Sequence, residues 1–223
     1  MQAVISGYGK MGRMVEKALS ARGIPCAGWS EDIASFDPAV ARESVCIDFT
    51  TPAAFRANYP VLAANFKAVV VGTTGWYDIK DQVFECFLKV GTPLIWASNF
   101  SVGVTVLSAA VEQVAKLLSK AGGYAPYIVE KHHCHKLDAP SGTALTLARE
   151  VEKYISAPAV NIASVRVGEV PGIHTVGFEG PCDRITLEHE AFSREGLADG
   201  AVTAALMTEG LTGVHEFKDL FLQ

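Results

Sequence analysis

Closely spaced cysteine pairs, long apolar runs and basic clusters are all missing from this 223-residue sequence, and each absence excludes a class of protein. The five cysteines are odd in number and widely spaced, with no Cys-x-x-Cys pair, which indicates reduced thiols and a cytoplasmic location. The net charge of −5, without any basic run, argues against a nucleic-acid partner. Apolar stretches fall short of a membrane span and the N-terminus opens on a strand pattern instead of a signal peptide, so we expect no membrane association.

The composition is typical of a soluble globular protein, with 49% apolar and 19% charged residues. Its length suits one large domain or two small ones. In the first half, helical patterns separate short apolar runs, which indicates a parallel sheet with right-handed crossovers. The predicted strands are 3–6, 25–29, 45–49, 68–72 and 93–97.

A Gly-x-Gly-x-x-Gly sequence follows the first predicted strand and opens a helical pattern. In that context Gly7 allows a tight turn, Gly9 lets the backbone approach a pyrophosphate, and Gly12 lets helix and strand pack closely. Glu31 lies nineteen residues after Gly12, near the distance at which an acid binds the adenosine ribose, and no Arg or Lys is adjacent to it. We therefore predict a nicotinamide cofactor, with NADH favoured over NADPH. The alternative is a glycine-rich turn without a ligand, with Glu31 only solvating a loop.

Ligands of open parallel sheets bind beyond the carboxyl ends of the strands. Three segments fall there: Phe49-Thr50, Gly72 to Gly75, and Ser98 to Ser101. The competing interpretation is that the glycine segment is a simple turn and that Ser101 only caps the following helix.

The polar chemistry of the chain is concentrated between Glu130 and Ala144. An apolar run at 127–129 predicts a strand before it, and Pro140 suits the first turn of a helix after it. Backbone N–H groups at that helix start would point outward beside the positive end of the helix dipole, which favours a carboxylate or phosphate. Imidazoles and a lysine add proton donors. The pattern predicts an anion-binding pocket with proton-transfer groups, formed by Ser141, Gly142 and Thr143 with His132, His133, His135 and Lys136.

Two other chemistries for this stretch fail on geometry. Adjacent residues of an extended chain point to opposite faces, so residues 132–135 (His-His-Cys-His) cannot all close on one ion, and we predict no metal site. Tyr127 and Lys131 have the Tyr-x-x-x-Lys spacing of short-chain dehydrogenases, which requires one helical turn, whereas a strand separates the pair by roughly 13 Å. Singly, each histidine could be structural, Lys136 a solvated cation and Asp138 a cap.

The second half predicts a different architecture. Helical patterns at 104–120 and 141–154 are followed by runs at 164–168, 173–178 and 184–192 that alternate like antiparallel strands, and then by a helix at 201–211. The predicted class is α/β, with a Rossmann-type parallel-sheet nucleotide domain and a smaller α+β domain whose sheet is mostly antiparallel or mixed. We assign 1–101 and 195–223 to dinucleotide binding, and 102–194 to substrate binding and oligomerisation.

The order Glu130-x-His-His-x-x-Lys-x-Asp-Ala-Pro-Ser-Gly-Thr-Ala144 closely resembles the signature of dihydrodipicolinate reductases, bacterial and plant enzymes of diaminopimelate and lysine synthesis. The glycine fingerprint, Gly72-Thr-Thr74, Asn99-Phe-Ser101 and Gly172-Ile-His174 extend the resemblance along nearly the whole chain. It implies NADH- or NADPH-dependent reduction of dihydrodipicolinate, a small dicarboxylate, to tetrahydrodipicolinate. It also implies a homotetramer built through the sheet of the second domain.

The resemblance also implies residue roles. His132 would be the general acid and Lys136 would assist it, while His133, Ser141, Gly142 and Thr143 would hold the substrate carboxylates. Lys131 and Leu197 depart from the usual residues of the family. Two other functions stay open. A different nicotinamide oxidoreductase, such as an amino-acid dehydrogenase, should lack the pairing of His-His-x-x-Lys with Pro-Ser-Gly-Thr. A non-catalytic nucleotide sensor would keep the glycine fingerprint but would not need His132 and Lys136. The expected cofactor contacts are Gly7, Gly9, Lys10, Met11, Gly12, Glu31, Phe49, Gly72, Thr73, Thr74, Ser98, Asn99 and Phe100.

Overall fold

The computed structural model describes residues 1–156 and 159–223, which form two units. Unit 1 comprises Met1–Ser101 and Glu195–Gln223, and unit 2 comprises Val102–Arg194. Each unit has its own buried apolar cluster.

Unit 1 contains a six-stranded parallel sheet, which confirms the predicted Rossmann-type class. Its central strands β3 (Ser44–Asp48) and β4 (Ala68–Val71) are buried at every position, as expected when helices cover both faces. The strand order is β10-β5-β4-β3-β1-β2, in which the remaining strands are β1 (Gln2–Ser6), β2 (Cys26–Ser30), β5 (Leu94–Trp96) and β10 (Val214–Glu216).

The helices of unit 1 begin largely where local signals place them. Thr51 caps α3, because its Oγ1 accepts from the Ala54 N–H at 3.2 Å and Pro52 is the first helical residue. The helix predicted at 201–211 instead spans Glu195–Met207. Two glycines in its first turns lower the helix propensity, so the sequence pattern does not show where it begins. Gly200 is required because a Cβ there would lie 1.7 Å from the Phe100 carbonyl oxygen. The helices are α1 (Lys10–Ala21), α2 (Pro38–Arg42), α3 (Pro52–Asn65), α4 (Lys80–Val90), α7 (Glu195–Met207) and α8 (Phe217–Phe221).

Unit 2 contains a mixed four-stranded sheet in the order β7-β6-β8-β9. The prediction of three antiparallel strands is wrong for β7, which pairs parallel to β6 and begins three residues earlier than expected. A helix between β6 and β7 returns the chain to the same end of the sheet, as a parallel pair requires. The strands are β6 (Ala125–His132), β7 (Asn161–Arg166), β8 (Ile173–Glu179) and β9 (Arg184–Glu190).

Helices α5 (Val102–Ala121) and α6 (Gly142–Glu152) pack with this sheet around one apolar cluster. Helix α5 buries Leu107 and Val111, but Leu117, predicted on the same stripe, is 52% exposed. By length and composition α5 could cross a membrane, which corrects the expectation that no stretch approaches that length. Its buried stripe belongs to the core of unit 2.

Candidate active site

The glycine-rich turn of unit 1 joins β1 to α1. Gly7 has φ +85°, and a Cβ on Gly7 or Gly12 would lie 2.5 Å or less from a backbone oxygen, so the fold itself requires both glycines. A Cβ on Gly9 would meet nothing within 4 Å. Glycine at this position leaves the backbone open to a ligand, which fits a pyrophosphate, and Lys10 and Met11 open the helix beside it.

Glu31 lies directly beside this turn. Its Oε1 accepts from the Tyr8 N–H at 3.0 Å, and the Tyr8 ring stacks on Trp29 with centroids 4.2 Å apart. The sequence has no basic neighbour of Glu31, but the fold brings Arg13 to the same turn, with its guanidinium 5.5 Å from the Tyr8 centroid. An acidic and a basic side chain therefore both contact Tyr8 in the glycine-rich turn.

Sequence patterns missed Asp48, a buried carboxyl at the end of β3. It accepts hydrogen bonds from the Thr73 hydroxyl at 2.5 Å and the Ser6 hydroxyl at 2.7 Å. Burial raises the Asp48 pKa, while these bonds and those from Thr50 oppose the shift. The Thr73 side chain is therefore committed to Asp48, so Thr73 is open to a cofactor only through its backbone.

The remaining predicted cofactor contacts differ in exposure. Thr74 and Ser98 are exposed, whereas Phe100 is buried against Phe49 and Phe217 and so belongs to the core. A Cβ on Gly72 would lie 2.1 Å from the Phe49 ring, which explains the glycine by packing. Asn99 Oδ1 accepts from the Ser101 N–H at 2.8 Å, a bond that shapes the turn.

In unit 2, strand β6 extends through His132, three residues beyond the apolar run. Because side chains alternate along a strand, Glu130 and His132 share one face while Lys131 lies on the other. Glu130 is 0% and His132 8% exposed, whereas Lys131 is exposed. A short hydrogen bond joins His132 Nδ1 to Glu130 Oε2.

Arg166 completes this pair, and sequence patterns missed it. Its guanidinium donates to Glu130 Oε1 at 2.7 Å and Oε2 at 3.0 Å, and to the Asp138 carbonyl at 2.6 Å. Burial alone would raise the Glu130 pKa, but hydrogen bonds from Arg166, Ser164 and His132 outweigh it and bring the pKa to about 2. Glu130 is therefore an ionised, fully buried carboxylate that orients His132.

The charge state of His132 is set by opposing effects. Burial lowers its pKa below the ordinary value, the hydrogen bond to Glu130 opposes this, and the charges of Lys136 and Arg166 act with burial. His174, another residue without a predicted role, packs edge-on against His132 with centroids 5.1 Å apart. Burial and then the nearby His132 lower the His174 pKa to about 4. A Cβ on Gly172 would lie 3.1 Å from His132 Nε2, so glycine leaves room beside that nitrogen.

Ser141 differs from its prediction. It is the N-cap of α6, accepting from the Ala144 N–H at 3.2 Å, and its hydroxyl also lies 3.2 Å from His174 Nε2. Pro140 therefore precedes the cap instead of lying in the first helical turn. With the Ser141 side chain 2% exposed and already bonded, the accessible first-turn positions are Gly142 and Thr143.

Two cationic side chains contact residues of the loop between β6 and α6, namely Lys136 within the loop and Arg194 beyond β9. Lys136 Nζ donates to Asp138 Oδ1 at 2.7 Å, and this bond lowers the Asp138 pKa. Arg194 approaches His133 Nε2 at 3.4 Å, a contact that sequence patterns missed. His133 Nδ1 is buried and has no hydrogen-bond partner within the described chain.

Comparison with known proteins places this geometry in context. The family model described as "Dihydrodipicolinate reductase, C-terminus" matches residues 103–221, and "Dihydrodipicolinate reductase, N-terminus" matches residues 28–100. The 4-hydroxy-tetrahydrodipicolinate reductase of Christiangramia forsetii is 35% identical over 232 residues, 99% of this chain and 97% of that protein. That of Stenotrophomonas maltophilia is 40% identical over 177 residues, covering 79% and 72%.

Solved structures support the fold. Dipicolinate-bound dihydrodipicolinate reductase from Paenisporosarcina sp. TG-14 superposes with a TM-score of 0.80 at 21% identity, covering 98% of both chains. Aspartate dehydrogenase from Thermotoga maritima reaches a TM-score of 0.52 at 13% identity, covering 95% of this chain and 97% of that one. An amino-acid dehydrogenase thus shares the architecture, while the sequence relatives agree on the reductase.

Proposed function

This chain belongs to the dihydrodipicolinate reductase family, and on that basis we propose how its residues carry out the reaction. The chain is a pyridine-nucleotide-dependent oxidoreductase that reduces 4-hydroxy-tetrahydrodipicolinate to tetrahydrodipicolinate in diaminopimelate and lysine biosynthesis. The observation that carries the residue assignment is His132 held by the buried, ionised Glu130, with space left beside its Nε2.

His132 is the general acid of the proposed mechanism. We assign its Nδ1–H to the bond with Glu130, which directs Nε2 away from the carboxylate. The 4-hydroxyl group of the substrate would leave as water, and a bound nicotinamide would supply the hydride to the resulting conjugated ring. The protonated His132 would deliver the balancing proton from Nε2 to the ring as negative charge develops there. The Glu130 carboxylate stabilises the imidazolium before transfer, and solvent replaces the proton afterwards.

Lys136 assists through its charge. Its ammonium group contributes to the lowered His132 pKa, which makes the imidazolium a stronger acid. The same charge attracts a dicarboxylate. The 2.7 Å hydrogen bond to Asp138 fixes the position of the Lys136 ammonium group.

The substrate carboxylates are proposed to bind at the start of α6 and at His133. The first-turn amides of Gly142 and Thr143 lie at the positive end of the helix dipole, where an anion is favoured. His133, which is partly exposed, would contribute its imidazole. Ser141 contributes through its backbone alone, because its hydroxyl caps the helix.

Removing the Thr143 hydroxyl should test this carboxylate site. A hydrogen bond to a charged group contributes about 1.5–3 kcal/mol, so Thr143→Ala should raise the substrate KM by roughly 10- to 100-fold. The matched control is Thr146→Ala, one turn further along α6, whose hydroxyl bonds only the Gly142 carbonyl among the contacts described. Steady-state kinetics of both variants would decide, and an unchanged KM for Thr143→Ala would show that the Thr143 hydroxyl does not bind a substrate carboxylate.

NADH is proposed as the preferred cofactor. The Glu31 carboxylate can accept bonds from ribose hydroxyls and repels a 2′-phosphate, while Arg13 acts in the opposite sense. We expect kcat/KM to be higher with NADH than with NADPH, and Glu31→Gln should narrow that ratio several-fold. Asp32→Asn, the neighbouring acid, should leave it unchanged. A strong NADPH preference in the wild-type protein would contradict the assignment.

A homotetramer assembled through the sheet of unit 2 is also proposed. The face of that sheet opposite α5 and α6, termed the open face, carries Tyr127, Val129, Val165 and Ile173. Light scattering should give four times the 23.8 kDa chain mass. Val129→Asp should dissociate the assembly, whereas Val90→Asp on the exposed surface of α4 should not. A monomer in the wild-type protein would contradict the proposal.

A cytoplasmic location is proposed as well. All five cysteines are free thiols, the state expected in a reducing compartment. Recovery of the native protein from a secreted or membrane fraction would contradict it.

A further inference from the structure

Three ligand-type side chains that the reaction does not use meet on the surface of unit 2. They are Cys134, His135 and Glu169, and one ligand atom of each lies within 4.8 Å of the others. Cys134 and His135 form the turn after β6, and Glu169 lies in the turn after β7. Because these strands are parallel neighbours, both turns emerge at the same end of the sheet.

Main-chain hydrogen bonds hold the two turns together. The Val167 N–H donates to the His132 carbonyl at 2.9 Å, and the Cys134 N–H donates to the Gly168 carbonyl at 3.0 Å. These bonds extend the strand pairing into the turns. The backbone that carries the cluster is therefore preorganised, while the three side chains remain exposed and free to adjust.

The spacing of the ligand atoms approaches tetrahedral coordination. His135 Nε2 lies 3.3 Å from Glu169 Oε1. With metal–ligand distances near 2.1 Å, nitrogen and oxygen ligands of a tetrahedral Zn²⁺ are about 3.4 Å apart, so this pair already has the required separation. A sulfur ligand belongs about 3.6 Å from each, and the three ligand atoms lie within 4.8 Å of one another, so the Cys134 thiol needs to approach by at most about 1.2 Å, within reach of a side-chain rotation.

We propose that Cys134, His135 and Glu169 form a binding site for Zn²⁺, with a fourth position open to water. Thiolate, imidazole and carboxylate together favour a borderline-soft cation over Mg²⁺ or Ca²⁺, which prefer oxygen ligands. The thiol releases its proton to solvent on binding, so affinity rises with pH. The site differs from the excluded run of four adjacent residues because its third ligand comes from another turn.

Occupancy has a consequence for catalysis that rests on the role proposed for Lys136. Cys134 and His135 lie between His133 and Lys136, and the Lys136 N–H donates to the His133 carbonyl at 3.2 Å. A cation that ties this turn to Glu169 restrains the segment that carries Lys136 and so limits the adjustment of its ammonium group to the bound substrate. Zn²⁺ therefore slows turnover, whereas binding itself is independent of the reaction.

Cobalt substitution tests the site directly. Untagged, reduced, chelator-treated protein is titrated with Co²⁺ and then with Zn²⁺ as competitor. The expected result is one Co²⁺ per chain with a thiolate-to-cobalt charge-transfer band that Zn²⁺ abolishes. Cys134→Ser should remove the band, and His135→Ala and Glu169→Gln should weaken Zn²⁺ binding by at least roughly 10- to 100-fold, the loss seen for outer-shell partners of a metal.

The matched control is Cys182→Ser, which removes another exposed thiol outside the cluster and should leave the band unchanged. Absence of the band in the wild-type protein, its survival in Cys134→Ser, or its loss in Cys182→Ser would overturn the site. In parallel assays Zn²⁺ should inhibit the wild-type reductase and spare Cys134→Ser. Full activity of the zinc-loaded wild-type protein would overturn the catalytic consequence alone.

Discussion

Replacing His132 with alanine should lower kcat by roughly 100- to 10,000-fold, the usual contribution of a positioned general acid. Water can still protonate the reduced ring, but it lacks the fixed geometry that the bond to Glu130 gives the imidazole. Binding of NADH should change little, because the predicted cofactor contacts belong to unit 1 and His132 belongs to unit 2.

The control for this prediction is His135→Ala in the presence of a chelator, which should keep kcat near the wild-type value. His135 lies three residues further along the chain, and its side chain is 73% exposed. Steady-state kinetics and NADH fluorescence titration on both variants separate turnover from cofactor affinity. Turnover of His132→Ala near the wild-type rate would show that another group delivers the proton.

The pH dependence gives a second readout of the same acid. A general acid acts in its protonated form, so kcat/KM for the substrate should fall as pH rises through the His132 pKa of the free enzyme. Burial lowers that pKa below the ordinary value, so the decline should start on the acidic side of an unperturbed histidine. The same decline should be absent from the residual activity of His132→Ala.

Local patterns in the sequence predicted the parts of this protein that neighbouring residues determine. The strand, glycine turn and helix around Gly7 were predicted in the right order from adjacent residues. The signature between Glu130 and Ala144 likewise predicted a strand, a loop and a helix start in the right order. In each case the energetic preference acts within a few residues along the chain.

The contacts that could not be predicted from the sequence depend on the register between distant segments. Arg166 meets Glu130 because β7 pairs parallel to β6 with Arg166 opposite His132, and no periodicity reveals that pairing. Glu169 reaches Cys134 and His135 for the same reason. In the sequence, Asp48 is an ordinary acidic residue at the end of a strand. Only the fold brings three hydroxyl groups into hydrogen-bonding distance of its carboxylate.

Competing local preferences explain the smaller errors. Pro140 suits a helical first turn, but Ser141 is the better cap and also reaches His174, so the helix begins one residue later at Gly142. Glycine at 196 and 200 lowers helix propensity, so the start of α7 is concealed, although close packing against Phe100 is what requires Gly200. Tertiary contacts in both places override the local signal.

Of all the substitutions proposed, replacing Arg166 with methionine should lower the free energy of unfolding the most. The substitution keeps much of the side-chain volume but leaves Glu130, which is 0% exposed, without its two guanidinium hydrogen bonds. Removing one partner of a buried ion pair costs about 3–5 kcal/mol of unfolding free energy, because the remaining charge is desolvated without compensation. Turnover should fall too, since a Glu130 that gains a proton no longer orients His132 or stabilises its charge.

Urea unfolding at neutral pH measures this cost, and the same sheet supplies its control. Arg184→Met breaks the ion pair between Arg184 and Glu179, in which both side chains are 52% exposed. It should change the free energy of unfolding by less than about 1 kcal/mol. In the double variant Glu130→Gln with Arg166→Met the buried charge is gone, so it should be more stable than Arg166→Met alone while turnover stays low. That ordering separates the two roles of Glu130, because stability depends on compensating its charge whereas catalysis depends on having it. A double variant no more stable than Arg166→Met would mean that the guanidinium acts mainly through packing and its bond to the Asp138 carbonyl.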